Sequence, residues 1–296
     1  MKKVNHLSRW ALLSLMVLLP ACSRVPVTGR RQFKIVPDSY MNSMSAQQYG
    51  QFLSENPASK DSAKTAMVKR CGKRIQLAVE EYCKEHDVSL KNYQWEFNLV
   101  EDDTVNAWCM PGGRVVVYTG LLPVAQDENG LAVVMGHEIA HAIAKHGSER
   151  MSQGLMVELG SFAISQATKE YPDETRNLFM KTYGAGTQVG VLLPYSRKHE
   201  AEADHIGLIF MAMAGYDPHV AVGFWERMAA MKQGQAPPKI LSTHPPDQER
   251  IENIKKLLPE VMKYYKNGSS HKSVRKMLRI NAVSIYATVG YRITRE

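Results

Sequence analysis

No apolar run in this chain approaches the roughly 20 residues that a helix needs to cross a bilayer. Trp10 to Ala21 is twelve residues without a charge, and the uncharged stretch Gly184 to Ser196 is equally brief. Helical membrane spans are therefore not expected. No sequence period of roughly 20 to 50 residues recurs, so a C-terminal helical-repeat array is not expected. Basic residues are in excess, with a formal net charge of +8. No basic block is dense enough to form a nucleic-acid site, and no such partner is expected. Cysteine is scarce, four in 296 residues. Setting Cys22 aside leaves Cys71, Cys83 and Cys109, an odd number that keeps one thiol free whichever pair bridges. What is present is a 44% hydrophobic content, enough for a full core as one large domain or two small ones.

The first residues pair a short basic region (Lys2, Lys3, Arg9) with the apolar run that ends at Ala21. That layout fits a signal peptide over residues 1–21. The run closes as "LPAC", which resembles the lipobox of bacterial lipoproteins, in which the cysteine becomes the acylated first residue. The resemblance implies a lipid anchor on Cys22, and Ser23 behind it resembles sorting to an outer membrane, facing the periplasm. Residues 22–57 are polar and rich in Pro and Gly, and read as an extended tether. Residues 58–296 then form the working domain.

A helix is expected from Ser62 to His86. It would hold Cys71 and Cys83 about 18 Å apart, beyond disulfide reach, so a bridge would have to use Cys109. "NYQWEFNLVED" and "GGRVVVYTG" run at strand lengths and predict a small sheet. From Asp127 onward the pattern is helical: Asp127–His146, Ser148–Thr168, Asp173–Tyr183, Arg197–Ala214, Pro218–Met231 and Asp247–Lys266. The fold class is α+β, mostly helical. The apolar run Ile280 to Val289 has no assigned role.

The stretch "MGHEIAHAIAKH", Met135 to His146, sets His137 and His141 four residues apart, about 40° from each other on one helical face. Two neutral imidazoles so placed can each offer a nitrogen to one Zn²⁺, with Glu138 beside them to take a proton from the attacking water. His146, nine residues past His137, is expected to point away. In "SRKHEAEADHIGL", Glu200 and Asp204 share a face, whereas Glu202 lies about 200° from Glu200. Glu200 completes a His₂Glu set, and Asp204 can accept the free ring N–H of a ligand histidine. His199 and His205 are rival ligands. Cys109 is a further rival, as the third ligand of a deformylase-type site.

"GHEIAHAIAKHGSERM", "LPYSRKHEAEADHIGLIFMAMAGYDP" and "STHPPDQERIENI" together resemble the zinc metalloendopeptidases that include the CAAX prenyl protease, HtpX and the mitochondrial Oma-type proteases. The resemblance runs from about Pro26 to Leu258, and "PVTGRRQ" and "NAWCMPGGRVVVYTGLL" are similar to a secreted lipoprotein branch. It implies a thermolysin-like domain binding one zinc through His137, His141 and Glu200, with Glu138 as catalytic base. By analogy His244 donates to the oxyanion, or else fills the open metal position and must move. The resemblance also places "RVVVYTG" as an exposed edge strand above the cleft. The implied function is quality-control proteolysis of misfolded or unassembled envelope proteins. The alternative is a chaperone-like metal-binding lipoprotein in outer-membrane assembly, for which Glu138 has no use.

Overall fold

The computed structural model describes residues 22–188, 192–231, 240–245 and 248–265. Residues 1–21 and the run Ile280 to Val289 lie outside them. The described chain is α+β and mostly helical, as the sequence implies. Two short strands, β1 (Cys22–Arg24) and β2 (Arg31–Phe33), precede helices α1 (Asp38–Glu55) and α2 (Ser62–Glu85). A three-stranded sheet follows, of β3 (Glu96–Val100), β4 (Ala107–Met110) and β5 (Arg114–Tyr118). The remaining elements are helices: α3 (Leu122–Ala125), α4 (Glu128–Ile143), α5 (His146–Ala167), α6 (Asp173–Thr187), α7 (Leu193–Met213), α8 (Val220–Met231), α9 (Ile240–Thr243) and α10 (Gln248–Val261). Each expected helix after Asp127 is found with its ends shifted by a few residues, as expected where caps rather than periodicity set the limits.

The sheet order is β3-β5-β4, with β5 parallel to β3 and antiparallel to β4. The strand expected at the edge is therefore the central one. All five of its residues are buried because both faces of the sheet are covered. Val115 and Val117 point into the main helical core, while Val116 and Tyr118 join Tyr49 of α1 in a second cluster. Period-2 alternation could not reveal this, since a doubly covered strand is apolar throughout. The edges belong to β3 and β4. The tight return into β5 uses Gly112 and Gly113, both left-handed with φ of 91° and 88°.

The segment expected as a tether is folded. β1 and β2 pair as an antiparallel hairpin, and Val25 enters the main core. Tyr49 on α1 covers the sheet. Cys71, Cys83 and Cys109 are all free thiols, the first two buried.

Helix α4 starts at an Asp127 cap, whose carboxylate accepts from the Gly130 N–H at 2.9 Å. From Gly130 to Ile143 every residue is buried. α4 packs most extensively on α7. The contact is close because both helices present glycine: a Cβ on Gly207 would lie 2.8 Å from the Gly136 carbonyl carbon and 2.9 Å from His137 Cα. These are backbone atoms and cannot step aside. Gly207→Ala is expected to cost about 1–3 kcal/mol through overpacking, outweighing the roughly 1 kcal/mol that alanine gains over glycine in a helix. Urea unfolding measures the balance. An unchanged or raised midpoint would show that the two helices do not need this closeness.

At the end of α4, Lys145 takes a left-handed conformation with φ 57°, and the chain turns into α5. His146, expected to face away from the metal helix, is carried back instead. Its ring centroid lies 4.8 Å from that of His141. The 100° periodicity behind that expectation ends where the helix ends.

Candidate metal centre

Helix α4 brings His137 and His141 side by side, with ring centroids 4.7 Å apart. Helix α7 supplies Glu200, and the turn after α9 supplies His244. The two Nε2 atoms of His137 and His141 are 3.1 Å apart. Glu200 Oε2 lies 3.3 Å from His137 Nε2, and its Oε1 lies 3.4 Å from His141 Nε2. His244 Nδ1 approaches to 2.7 Å from Glu200 Oε2 and 3.2 Å from His137 Nε2. All four residues are buried, and their ligand atoms lie within 4.8 Å of one another. Glu138 stands beside them, its Oε1 3.5 Å from His244 Nε2.

Two observations test whether this group suits a cation. Among the described residues, Glu138 Oε1 and Glu200 Oε1 are buried oxygens without a hydrogen-bond partner, a costly state that a cation relieves. In addition, imidazole nitrogens facing each other at 3.1 Å cannot both keep lone pairs pointed at one spot without a positive charge there. Two or three imidazoles and a carboxylate are the donor set that zinc takes.

The electrostatics agree. Burial works against a charged His137, but hydrogen bonds to Asp204 and Glu200 outweigh it and raise its pKa to about 9. Burial holds the pKa of His141 well below the ordinary histidine value. Glu200 is kept ionised: burial opposes this, and the neighbouring rings of His137, His141 and His244 overcome it. The centre therefore carries a proton that metal binding must displace.

Neighbouring residues fix the ligands. His137 Nδ1 is 2.9 Å from Asp204 Oδ1, which leaves Nε2 free for the metal. Arg250 on α10 grips that carboxylate with two bonds, Nε to Oδ2 at 2.8 Å and Nη2 to Oδ1 at 2.6 Å. Its guanidinium lies 3.4 Å over the Trp225 ring. Sequence reasoning assigned Arg250 no role. The available signal was an arginine on the same face of the last helix as the buried Ile251 and Ile254, where a solvated cation has no place.

The structure thus gathers His137, Glu138, His141, Glu200, Asp204 and His244. The rivals fall outside the group: His199 bonds Glu149 at 2.9 Å, and His205 bonds Glu260 at 3.0 Å near the surface. Cys109 lies on β4, its thiol pKa pushed well up by burial, and is not among the clustered groups.

A histidine-rich buried site on two facing helices, with a spare carboxylate, defines the metallopeptidase class. The chain belongs to peptidase family M48, whose family model matches residues 70–258. Members of this family are hydrolases that use zinc. The chain is 34% identical over 241 residues to the mitochondrial metalloendopeptidase OMA1 of Schizosaccharomyces pombe, a match covering 80% of this chain and 66% of that protein. It is 28% identical over 243 residues to human metalloendopeptidase OMA1, covering 80% of this chain and 46% of the relative. The beta-barrel assembly-enhancing protease of Escherichia coli is 30% identical over 165 residues, covering 53% and 33%. The chain therefore spans between a third and two thirds of the length of these relatives.

These matches correct one expectation. The relatives that cover most of this chain are named as mitochondrial, and the bacterial assembly protease matches over a shorter stretch. This overturns the location at a bacterial outer membrane facing the periplasm. A leader whose address rests on "LPAC" is a four-residue signal, too short to outweigh a match over 241 residues.

Proposed function

We propose that the chain is a zinc metalloendopeptidase that hydrolyses unfolded or unassembled polypeptides. The carrying observation is the buried convergence of His137, His141 and Glu200 beside the unpartnered carboxylate oxygen of Glu138. Residues 58–296 form the catalytic domain, with 22–57 folded onto it.

His137, His141 and Glu200 hold the metal. Zinc, when bound, lowers the pKa of water toward about 7 and polarises the scissile carbonyl. Glu138 takes the proton of the attacking water and delivers it to the leaving amine. Asp204 and Arg250 keep His137 in the tautomer that offers Nε2.

β4 supports the substrate class. As an edge strand it can add an extended peptide by backbone pairing, which selects unfolded segments over sequences. A cavity of about 330 Å³ opens beside it, lined by Tyr93, Cys109, Met110 and His141. Leu159 and Phe162 on α5 and Leu178 on α6 are each at least 60% exposed, apolar side chains available to contact those of an unfolded chain.

His244 Nδ1 turned into the ligand group favours its role as a plug over that of an oxyanion donor. It must swing out for water to enter. His244→Ala is then expected to raise casein cleavage several-fold while zinc binds about tenfold more weakly. A fall in cleavage with zinc retained would assign His244 to the oxyanion instead.

The test of the proposal as a whole is zinc content and casein cleavage of the chain from Ser23 onward. One zinc per chain, with cleavage lost to a chelator and restored by zinc, is expected. Bound zinc with no cleavage, also in the His244→Ala variant, would favour the chaperone-like metal-binding alternative.

A further inference from the structure

His137 is held by a carboxylate, Asp204, but among the described residues no carboxylate takes the equivalent place at His141. Its Nδ1 faces Nδ1 of His146 at 2.8 Å. His146 Nε2 in turn lies 3.0 Å from Glu202 Oε2. That carboxylate is gripped from the β1–β2 hairpin: Arg30 Nε donates to Oε2 at 2.8 Å, and the Thr28 hydroxyl donates to Oε1. Arg30 also donates to Glu149 through Nη1 at 3.0 Å and Nη2 at 2.7 Å. Glu149 is shared with His199 Nε2 at 2.9 Å and the Phe33 N–H at 3.3 Å. Gln32 ties the hairpin to the end of α4 by donating to the Ala144 carbonyl at 2.8 Å. His146, Glu149 and His199 are fully buried and Glu202 is 7% exposed.

The protons along this chain have one consistent arrangement. For His141 to offer Nε2 to a metal as a neutral ring, Nδ1 must carry its hydrogen. That hydrogen can only be donated to Nδ1 of His146, so His146 must be protonated at Nε2. The Nε2–H then needs an ionised acceptor, which is Glu202, and Glu202 stays ionised and in place because Arg30 and Thr28 hold it. A flipped tautomer anywhere on this line would turn a hydrogen toward the metal instead of a lone pair.

We infer that His146 and Arg30 are positioning residues of the metal centre, and that the β1–β2 hairpin is the outermost layer of the site. This inference rests on the metal-site reading above. Glu202 and His146 do at second remove for His141 what Asp204 does directly for His137. Arg30 acts through His146, from a segment more than 100 residues earlier in the chain.

The test is a double-mutant cycle on zinc affinity, measured by chelator competition on the chain from Ser23 onward, with apoprotein melting recorded alongside. His146→Phe keeps a ring but loses the acceptor, and should weaken zinc roughly 10- to 100-fold. Arg30→Met should weaken it about tenfold. The double variant should bind no worse than His146→Phe alone, because Arg30 has nothing left to act through. His146→Gln, which restores an acceptor carbonyl, should recover part of the loss; if the phenylalanine variant does not fold, the cycle is run on His146→Gln. Single variants within about twofold of the parent, or losses that multiply in the double variant, overturn the inference. So does a lowered melting temperature with zinc affinity unchanged, which would assign Arg30 to the fold alone. A parent chain that binds no zinc fails the metal-site reading itself, an outcome distinct from a zinc-binding parent whose variants match it.

Discussion

Glu138→Gln is expected to reduce casein cleavage by roughly 10²- to 10⁴-fold while leaving one zinc bound and the fold unchanged. The size of the loss follows from the role. A glutamine cannot take a proton from water, so the substitution removes the base and nothing else of comparable weight. The fold should tolerate it because Glu138 Oε1 makes no hydrogen bond and glutamine has nearly the same shape. Zinc should stay because Glu138 is not among the four clustered ligand groups. Zinc analysis beside a cleavage assay separates the outcomes. A loss smaller than about tenfold would remove Glu138 from the chemistry, and loss of the metal together with activity would make it part of the binding site.

Arg250→Ala should produce the largest fall in stability among single substitutions near the site. The guanidinium satisfies both oxygens of Asp204, lies 3.5 Å from Glu200 Oε2 and covers the Trp225 ring. Its removal leaves two buried carboxylates short of a partner. Breaking a buried pair on one side costs about 3–5 kcal/mol. In a domain of this size that lowers the melting temperature by roughly 6–20 °C. Asp204, once released, no longer fixes the ring of His137, and zinc affinity should drop about 10- to 100-fold. Arg250→Lys should recover only part of either loss, since an ammonium cannot reproduce the two-pronged grip or the stacking. Calorimetry and chelator competition read the two effects. A melting point within a few degrees of the parent would show that Asp204 is adequately paired by His137 alone.

Both predictions concern residues that differ in how visible they were beforehand. His137, Glu138 and His141 are written in the sequence because their geometry is internal to one helix. Any chain that is helical over Glu128–Ile143 puts the two imidazoles on one face. Glu200 and Asp204 follow by the same rule within α7. The helical fold class and the small sheet ahead of the metal helix were legible for similar reasons. They rest on periodicity and length over short distances.

What lies between elements was decided only by the tertiary structure. That β5 is the central strand depends on its pairing with both β3 and β4, which the strand's own pattern cannot show. The return of His146 toward His141 depends on a single left-handed residue, Lys145, breaking the helical phase. The Arg250 grip, the Gly136–Gly207 contact and the reach of Arg30 to Glu202 join positions many residues apart. Sequence alone narrowed the side chains that could bind a metal to a short set of candidates, because local helix geometry is fixed by backbone sterics and hydrogen bonding. Packing decided which groups hold those side chains in place, because a buried charge takes its partner from whatever the fold brings within about 3 Å.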